Sequence, residues 1–201
     1  RKFHPNIIVS STGSAPLLPP IAGLKDRIDN ENHNIYSILG MISHINDFPK
    51  DLEGKKVVVV GGGAVGLDVV EFFADRNADI SIVEMMDQIG RDLDPVSKND
   101  TKTMMKKHNV HQLTKTALLE VKDSSFLVRG DGEPYELPFE YGFVCLGMRA
   151  QGQLYQNLTE EFSSEDVEIM NIGDSQRARR IIDGTQEGRN ILTILEQKGY
   201  F

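Results

Sequence analysis

The chain has 201 residues, 39% of them hydrophobic, one Cys, and a net charge of −8 from 22 Lys and Arg against 30 Asp and Glu. At about 150 residues per domain, that length allows one large domain or two small ones, and the acidic balance argues against nucleic acid or an anionic membrane surface as partner, since both call for a basic footprint. A single cysteine forms no intrachain disulfide, redox pair or thiolate cluster, so the chain reads as cytoplasmic; no apolar run approaches the roughly 20 residues that span a bilayer, and no signal peptide opens it.

The sequence opens on Arg1 close to a strand, which raises the expectation of a piece of a longer polypeptide. An apolar run at 6–9 stops at Ser10-Ser11-Thr12-Gly13-Ser14, and Pro16, Pro19 and Pro20 then make an extended connector. Ile35, Ile38, Leu39, Ile42 and Ile45 recur at about helical spacing and predict a short helix over 35–45, ending before Pro49. Residues 57–60 are an unbroken valine run, as in a parallel strand covered on both faces. Gly61-Gly62-Gly63 makes a turn, 64–76 a strongly apolar helix and 79–84 a second strand, together a βαβ unit of the usual length. A polar helix is expected over 92–107 and a strand over 110–116. The pattern then turns to hairpins, with strands at 118–121 and 126–129 around Asp123-Ser124-Ser125 and a further turn at Asp131-Gly132. A last buried strand over 141–146 closes at Gly147; a short strand over 168–172, the pair Gly173-Asp174 and a helix over 181–198 complete the chain.

Gly61-Gly62-Gly63-Ala64-Val65-Gly66 spells G-x-G-x-x-G between a buried strand and a helix, the one context in which this weak motif carries a mechanism. Gly61 permits the tight turn, Gly63 lets a pyrophosphate approach the backbone, and Gly66 lets helix and strand pack closely. Free N–H groups around Ala64 and Val65 then face the phosphates at the positive end of the helix dipole. Glu84 ends the next strand, where a carboxylate accepts from adenosine ribose hydroxyls. A 2′-phosphate about 4 Å from that carboxylate would be repelled by up to roughly 4 kcal/mol at an effective dielectric near 20. Neither Met85 nor Met86 supplies a compensating cation, so the expectation is NAD(H) rather than NADP(H). Three other segments, 7–16, 143–149 and 171–174, are strands that end at glycine turns. Taken singly each is a plain turn, although Gly173-Asp174 before a helix is also a way to set a carboxylate on a ligand hydroxyl.

The order of these motifs resembles the flavin- and pyridine-nucleotide-binding part of the two-dinucleotide-fold flavoproteins. It is most similar to the C-terminal region of 2,4-dienoyl-CoA reductase and related NADH:flavin oxidoreductases of the old yellow enzyme type. The residues that carry the resemblance are 11–16, the glycine fingerprint, Val83 to Met85, Ile89 to Asp94, Leu146 to Arg149 and Gly173-Asp174; Ser11, Cys145 and Ala150 depart from the family pattern. The resemblance implies an α/β protein, a Rossmann-type NAD(P)-binding domain with a β-meander flanked by partial FAD-binding segments. The domains expected are 1–50 and 149–201 as pieces of the FAD domain and 51–148 as the NAD(H) domain. It implies NAD contacts at Gly61, Gly62, Gly63, Ala64, Val65, Gly66, Glu84 and Gly147, and FAD contacts at Thr12, Gly13, Gly173 and Asp174.

No second G-x-G-x-x-G is present. The resemblance therefore implies that FAD is held fully only in the intact parent, with FMN and an iron-sulfur cluster in a missing N-terminal part of the same polypeptide. The implied function is hydride transfer from NADH to flavin for reduction of an unsaturated, enoyl- or dienoyl-CoA-like substrate, the isolated chain being inactive. No side chain of this segment is needed as acid, base or nucleophile, and homo-oligomerisation is left open. A ferredoxin- or rubredoxin-reductase-like flavoprotein and a non-catalytic NAD- or ADP-binding module are the alternatives.

Other signals weigh less. Cys145 lies in an apolar strand without a partner thiol and reads as core. His108 and His111 lack further ligands nearby, so no metal site is expected. Arg129-Gly130-Asp131 reads as a chance tripeptide in a turn, and Arg177, Arg179 and Arg180 as a solvated basic face.

Overall fold

A computed structural model describes residues 4–200. In chain order it contains β1 (Ile7–Ser10), β2 (Ser14–Pro16), α1 (Leu24–Arg27), β3 (Ile35–Tyr36), α2 (Ile38–Ser43), β4 (Lys56–Val60), α3 (Ala64–Ala74) and β5 (Asp79–Val83). There follow α4 (Pro95–Lys107), β6 (His111–Leu113), β7 (Ala117–Val121), β8 (Ser125–Arg129), β9 (Tyr135–Pro138), β10 (Tyr141–Val144) and β11 (Met148–Ala150). The chain ends with α5 (Gln153–Glu161), β12 (Glu168–Asn171), a 3-10 turn at Gly173–Ser175 and α6 (Ile181–Gln197).

Two compact units result, one of residues 16–147 and one that joins residues up to 15 with those from 148 onward. The first boundary falls at Ala15 rather than near residue 50, because Leu24, Ile28, Ile35, Met41 and Phe48 are buried in the cores of the larger unit.

The larger unit is built on a five-stranded sheet in the order β3-β10-β4-β5-β6, parallel throughout. The valine run explains why β4 lies inside it. Val57 and Val59 enter one core with Phe73 and Phe143, while Val58 and Val60 enter a second with Phe126 and Val128. Helix α3 covers the first face. The second is covered by the antiparallel meander β7-β8-β9, whose Phe126 meets Phe139, just beyond β9, in a tilted ring contact at 4.5 Å between centroids. From β4 the chain runs through α3, β5, α4 and β6 toward one edge, then returns to place β10 on the other side of β4. The carboxyl ends of β4 and β10 therefore flank the point where strand order reverses, the usual place for a ligand in an open α/β sheet.

Two helices start later than predicted. Ile35 and Tyr36 pair with Gly142 and Phe143 as an edge strand, and Ser37, whose Oγ accepts from the Gly40 N–H at 3.1 Å, caps α2 only after it. A two-residue strand inside a helix-spaced apolar run leaves no mark on the periodicity. Helix α4 starts at Pro95 instead of 92, because Asp94 accepts from the Val96 and Ser97 N–H groups at 3.0 and 3.1 Å and proline is favoured at the first helical position.

In the smaller unit, β1 and β12 pair in parallel, with α5 packed beside β12. Strands β2 and β11 form a two-stranded ribbon. Among the described residues no helix is long and apolar enough to cross a membrane.

Candidate functional site

Within the larger unit a cleft of about 610 Å³ opens where β4, β5 and β10 end. Its floor is Val60, Gly61 and Cys145, one wall is the start of α3, and the opposite wall brings Glu84, Met85, Thr116 and Leu118 together with Pro19 and Ile21. Of the predicted NAD residues, Gly61, Gly63, Ala64, Val65, Glu84 and Gly147 line it directly.

The glycines are there for space. Gly61 sits at φ +110°, closed to ordinary side chains, and a Cβ on it would be driven into the Cys145 carbonyl. A Cβ on Gly66 would strike the Gly61 carbonyl oxygen, so this glycine sets how closely α3 approaches the turn. Gly63 is different. Its φ of −78° suits any residue, and the nearest atoms to a Cβ there are the Asp92 carboxylate oxygens at 3.9 Å, so the protein itself leaves that space open. Gly63 is also the N-cap of α3, and no side chain caps the helix, which leaves the positive end of its dipole facing the cleft.

Glu84 is half-buried at the end of β5 and braces the turn. Its Oε2 accepts from the Gly62 N–H at 2.7 Å and its Oε1 from the Met86 N–H at 2.7 Å. Gly62 contributes through that N–H rather than by lining the cleft. A carboxylate has about four lone-pair sites, so Glu84 can still accept from two vicinal hydroxyls. Glu84 and Asp92 are the charged residues of the lining, and no lysine or arginine is among it.

Cys145 lies at the base of the cleft with its thiol buried. Burial, and secondarily the Asp68 carboxylate, push its pKa up to about 12, so at neutral pH it is a packed thiol and not a nucleophile. Asp68 on α3 is itself shifted upward by desolvation. His111 Nε2 lies 3.5 Å from Asp79 Oδ1, and among the described residues no group of three or more His, Cys, Asp or Glu is placed to hold a metal ion.

The residues expected on the flavin side all belong to the smaller unit. Asp174 Oδ2 accepts from Ser14 Oγ at 3.0 Å and its Oδ1 from the Arg179 N–H at 3.1 Å, so the two glycine-turn segments are brought together. The Gly173 N–H donates to Glu187 Oε2 at 2.6 Å, and Arg179 pairs with the other Glu187 oxygen. Arg179 is exposed, on the solvated basic face, and also takes part in this network through Glu187. Thr12 Oγ1 donates to the Gln151 carbonyl at 2.7 Å, and the Gln151 N–H donates to the Gly13 carbonyl at 3.0 Å. Ser10 Oγ, at the end of β1, is buried with no partner among the described residues. Asp174 keeps spare lone pairs and Ser10 an unmet hydroxyl, both compatible with a polar ligand against the ends of β1 and β12.

The model of the pyridine nucleotide-disulphide oxidoreductase family matches residues 3–171. The chain belongs to that family. An NADH oxidase of Thermoanaerobacter brockii is 26% identical over 187 residues, 92% of this chain and 27% of that protein. A metal reductase of Desulforamulus reducens is 25% identical over 215 residues, 92% of this chain and 30% of that one. Among solved structures, a 2-naphthoyl-CoA reductase in complex with 2-naphthoyl-CoA superimposes with a TM-score of 0.73 at 20% identity, covering 91% of this chain and 26% of that one. The chain thus spans under a third of the length of these relatives. Membership implies NAD(P)H and FAD as the cofactors of the family and agrees with the α/β, Rossmann-type reading of the sequence.

The cleft also contains residues that motif spacing did not single out. Pro19 and Ile21 come from the connector, Thr116 and Leu118 from the start of the meander, and Asp92 from the loop before α4. Asp92 stands within the quoted Ile89 to Asp94 motif, the one sequence signal that pointed at it.

Proposed function

We propose that this chain is the NADH-binding portion of an FAD-dependent oxidoreductase, cytoplasmic, in which hydride passes from NADH to flavin and on to an unsaturated, enoyl- or dienoyl-CoA-like substrate bound elsewhere in the parent protein. The observation that carries the reading is the combination of the open space at Gly63, the uncapped start of α3 and the Glu84 carboxylate, all on one cleft at the strand-order reversal. When bound, the nicotinamide supplies the hydride. The chain's part is positional: Gly63, Ala64 and Val65 offer backbone N–H groups to the pyrophosphate, Glu84 accepts from the adenosine ribose, and Gly61 and Gly147 keep the backbone low beneath the nicotinamide half. Glu84 and the absence of a lining cation favour NADH over NADPH.

Thr12, Gly13, Gly173 and Asp174 are the proposed FAD contacts, with Asp174 accepting from a ribityl hydroxyl. The motif series Val83 to Met85, Ile89 to Asp94 and Leu146 to Arg149 supports the dienoyl-CoA reductase branch, and with it FMN and an iron-sulfur cluster in the part of the parent outside this chain. The test is anaerobic mixing of the intact parent with NADH. Rapid loss of the oxidised-flavin absorbance, slowed by Glu84→Arg, supports the reading. An oxidised flavin untouched by NADH would leave the chain a non-catalytic nucleotide module.

A further inference from the structure

Asp92 stands at the spot where the proposed site has to receive its most negative part. Both of its carboxylate oxygens lie 3.9 Å from where a Cβ of Gly63 would be, on the open side of the glycine turn. The loop that carries it is stitched to the turn. The Gly90 N–H donates to the Gly62 carbonyl at 2.7 Å, the Leu93 N–H to the Gly90 carbonyl at 3.1 Å, and Asp94 caps α4 immediately afterwards. The backbone of Asp92 is therefore anchored within two residues on either side, which keeps the residue at the cleft mouth. The lining contains no lysine or arginine, and Lys98 directs its Nζ at the Arg91 carbonyl, 3.0 Å away, rather than at Asp92.

From this geometry we infer that Asp92 is a negative affinity determinant of the cleft: a carboxylate at its mouth that opposes the incoming pyrophosphate and holds binding of NADH and related dinucleotides weak. The inference rests on the cleft being the NADH site. A phosphate drawn to the helix dipole and the backbone N–H groups comes to the side of the glycine turn on which the Asp92 carboxylate stands, 3.9 Å from the Cβ position of Gly63. Because Asp92 is exposed, the repulsion is screened by water and salt, equivalent to roughly a fivefold to tenfold loss of affinity at low ionic strength. Such a site binds dinucleotide no more weakly, and up to severalfold more tightly, as salt is added, opposite to a site that captures phosphate with lysine or arginine.

The test is calorimetric titration of the full 201-residue chain, as wild type, Asp92→Asn and Asp92→Ala, with NADH, ADP-ribose and adenosine at low and high salt. The inference predicts that both variants bind NADH and ADP-ribose roughly fivefold to tenfold more tightly at low salt, converge on wild type at high salt, and bind adenosine, which carries no phosphate, unchanged. Wild-type NADH binding that is unaltered or weakened in both variants overturns the inference and leaves the cleft as the NADH site. An equal change for adenosine also overturns it, since Asp92 would then act through packing. Folded wild type and variants that all fail to bind NADH remove the site itself, and the inference with it.

Discussion

Gly63→Ala separates the ligand from the fold more sharply than any other substitution in the glycine turn. The backbone at Gly63 is extended, at φ −78° and ψ −178°, and an added methyl would meet nothing closer than 3.9 Å, so the folded protein accommodates it without strain. Alanine is a poorer N-cap than glycine, a cost of under about 1 kcal/mol, while the loss of glycine's freedom in the unfolded chain returns about 0.4–1 kcal/mol. The expected net change in stability is therefore within about 1 kcal/mol of zero. The same methyl occupies the space through which a pyrophosphate reaches the N–H groups of α3, and losing one charge-assisted hydrogen bond of about 1.5–3 kcal/mol weakens binding roughly tenfold to a hundredfold. Gly66→Ala is the control. Its methyl is driven into the Gly61 carbonyl, a backbone atom that cannot swing aside. Overpacking of about 1–3 kcal/mol then outweighs the helix-propensity gain of about 1 kcal/mol, and stability falls. Urea denaturation and NADH titration of both variants are the assays. Wild-type NADH affinity in Gly63→Ala, with the fold intact, would refute the reasoning that this space belongs to a phosphate.

Three further outcomes are expected. Cys145 resists thiol reagents in the native protein at pH 8, where a pKa of about 12 leaves a thiolate fraction of about 10⁻⁴, and reacts fully in denaturant; prompt native labelling would contradict its burial. Since the folded thiol titrates above its unfolded value, its contribution to stability is fully present below about pH 8.5–9 and is lost as pH rises toward 12, at up to about 1.4 kcal/mol per pH unit, so unfolding of Cys145→Ala should show a shallower alkaline decline. Phe73 is fully buried and in ring contact with Phe48, Phe72, Tyr141 and Phe143, so Phe73→Ala should cost about 3–5 kcal/mol, read from the shift of the denaturation midpoint; a loss below 1 kcal/mol would mean that the aromatic cluster does not hold α3 to the sheet.

The centre of this site was legible because its logic is local. A valine run buried on both faces, three glycines and a carboxylate one strand later all act within the span 57–84, and the structure puts each where the pattern requires. What the sequence concealed depends on distant partners. Ile35 and Tyr36 become a strand because β10 offers an unpaired edge, a fact held by residues 142 and 143 and not by their own spacing. Helix α5 carries an apolar face of Leu154, Tyr155 and Leu158, but it is a short segment among polar residues and none of its residues is buried. Pro19, Ile21 and Thr116 reach the cleft from connectors, where no periodicity applies. The boundary at Ala15 was hidden for a similar reason, since the segment up to Phe48 earns its place by filling cores made of later strands.

The most direct test of the central claim is calorimetric titration of the 201-residue chain with NADH and with NADPH, repeated on Glu84→Arg. The account predicts that NADH binds in preference to NADPH, and that Glu84→Arg, which removes both the ribose acceptor and the brace on the Gly62 N–H, weakens NADH and narrows or reverses the preference. Equal affinity for the two nucleotides in the wild type, or a folded chain to which NADH does not bind, would contradict it.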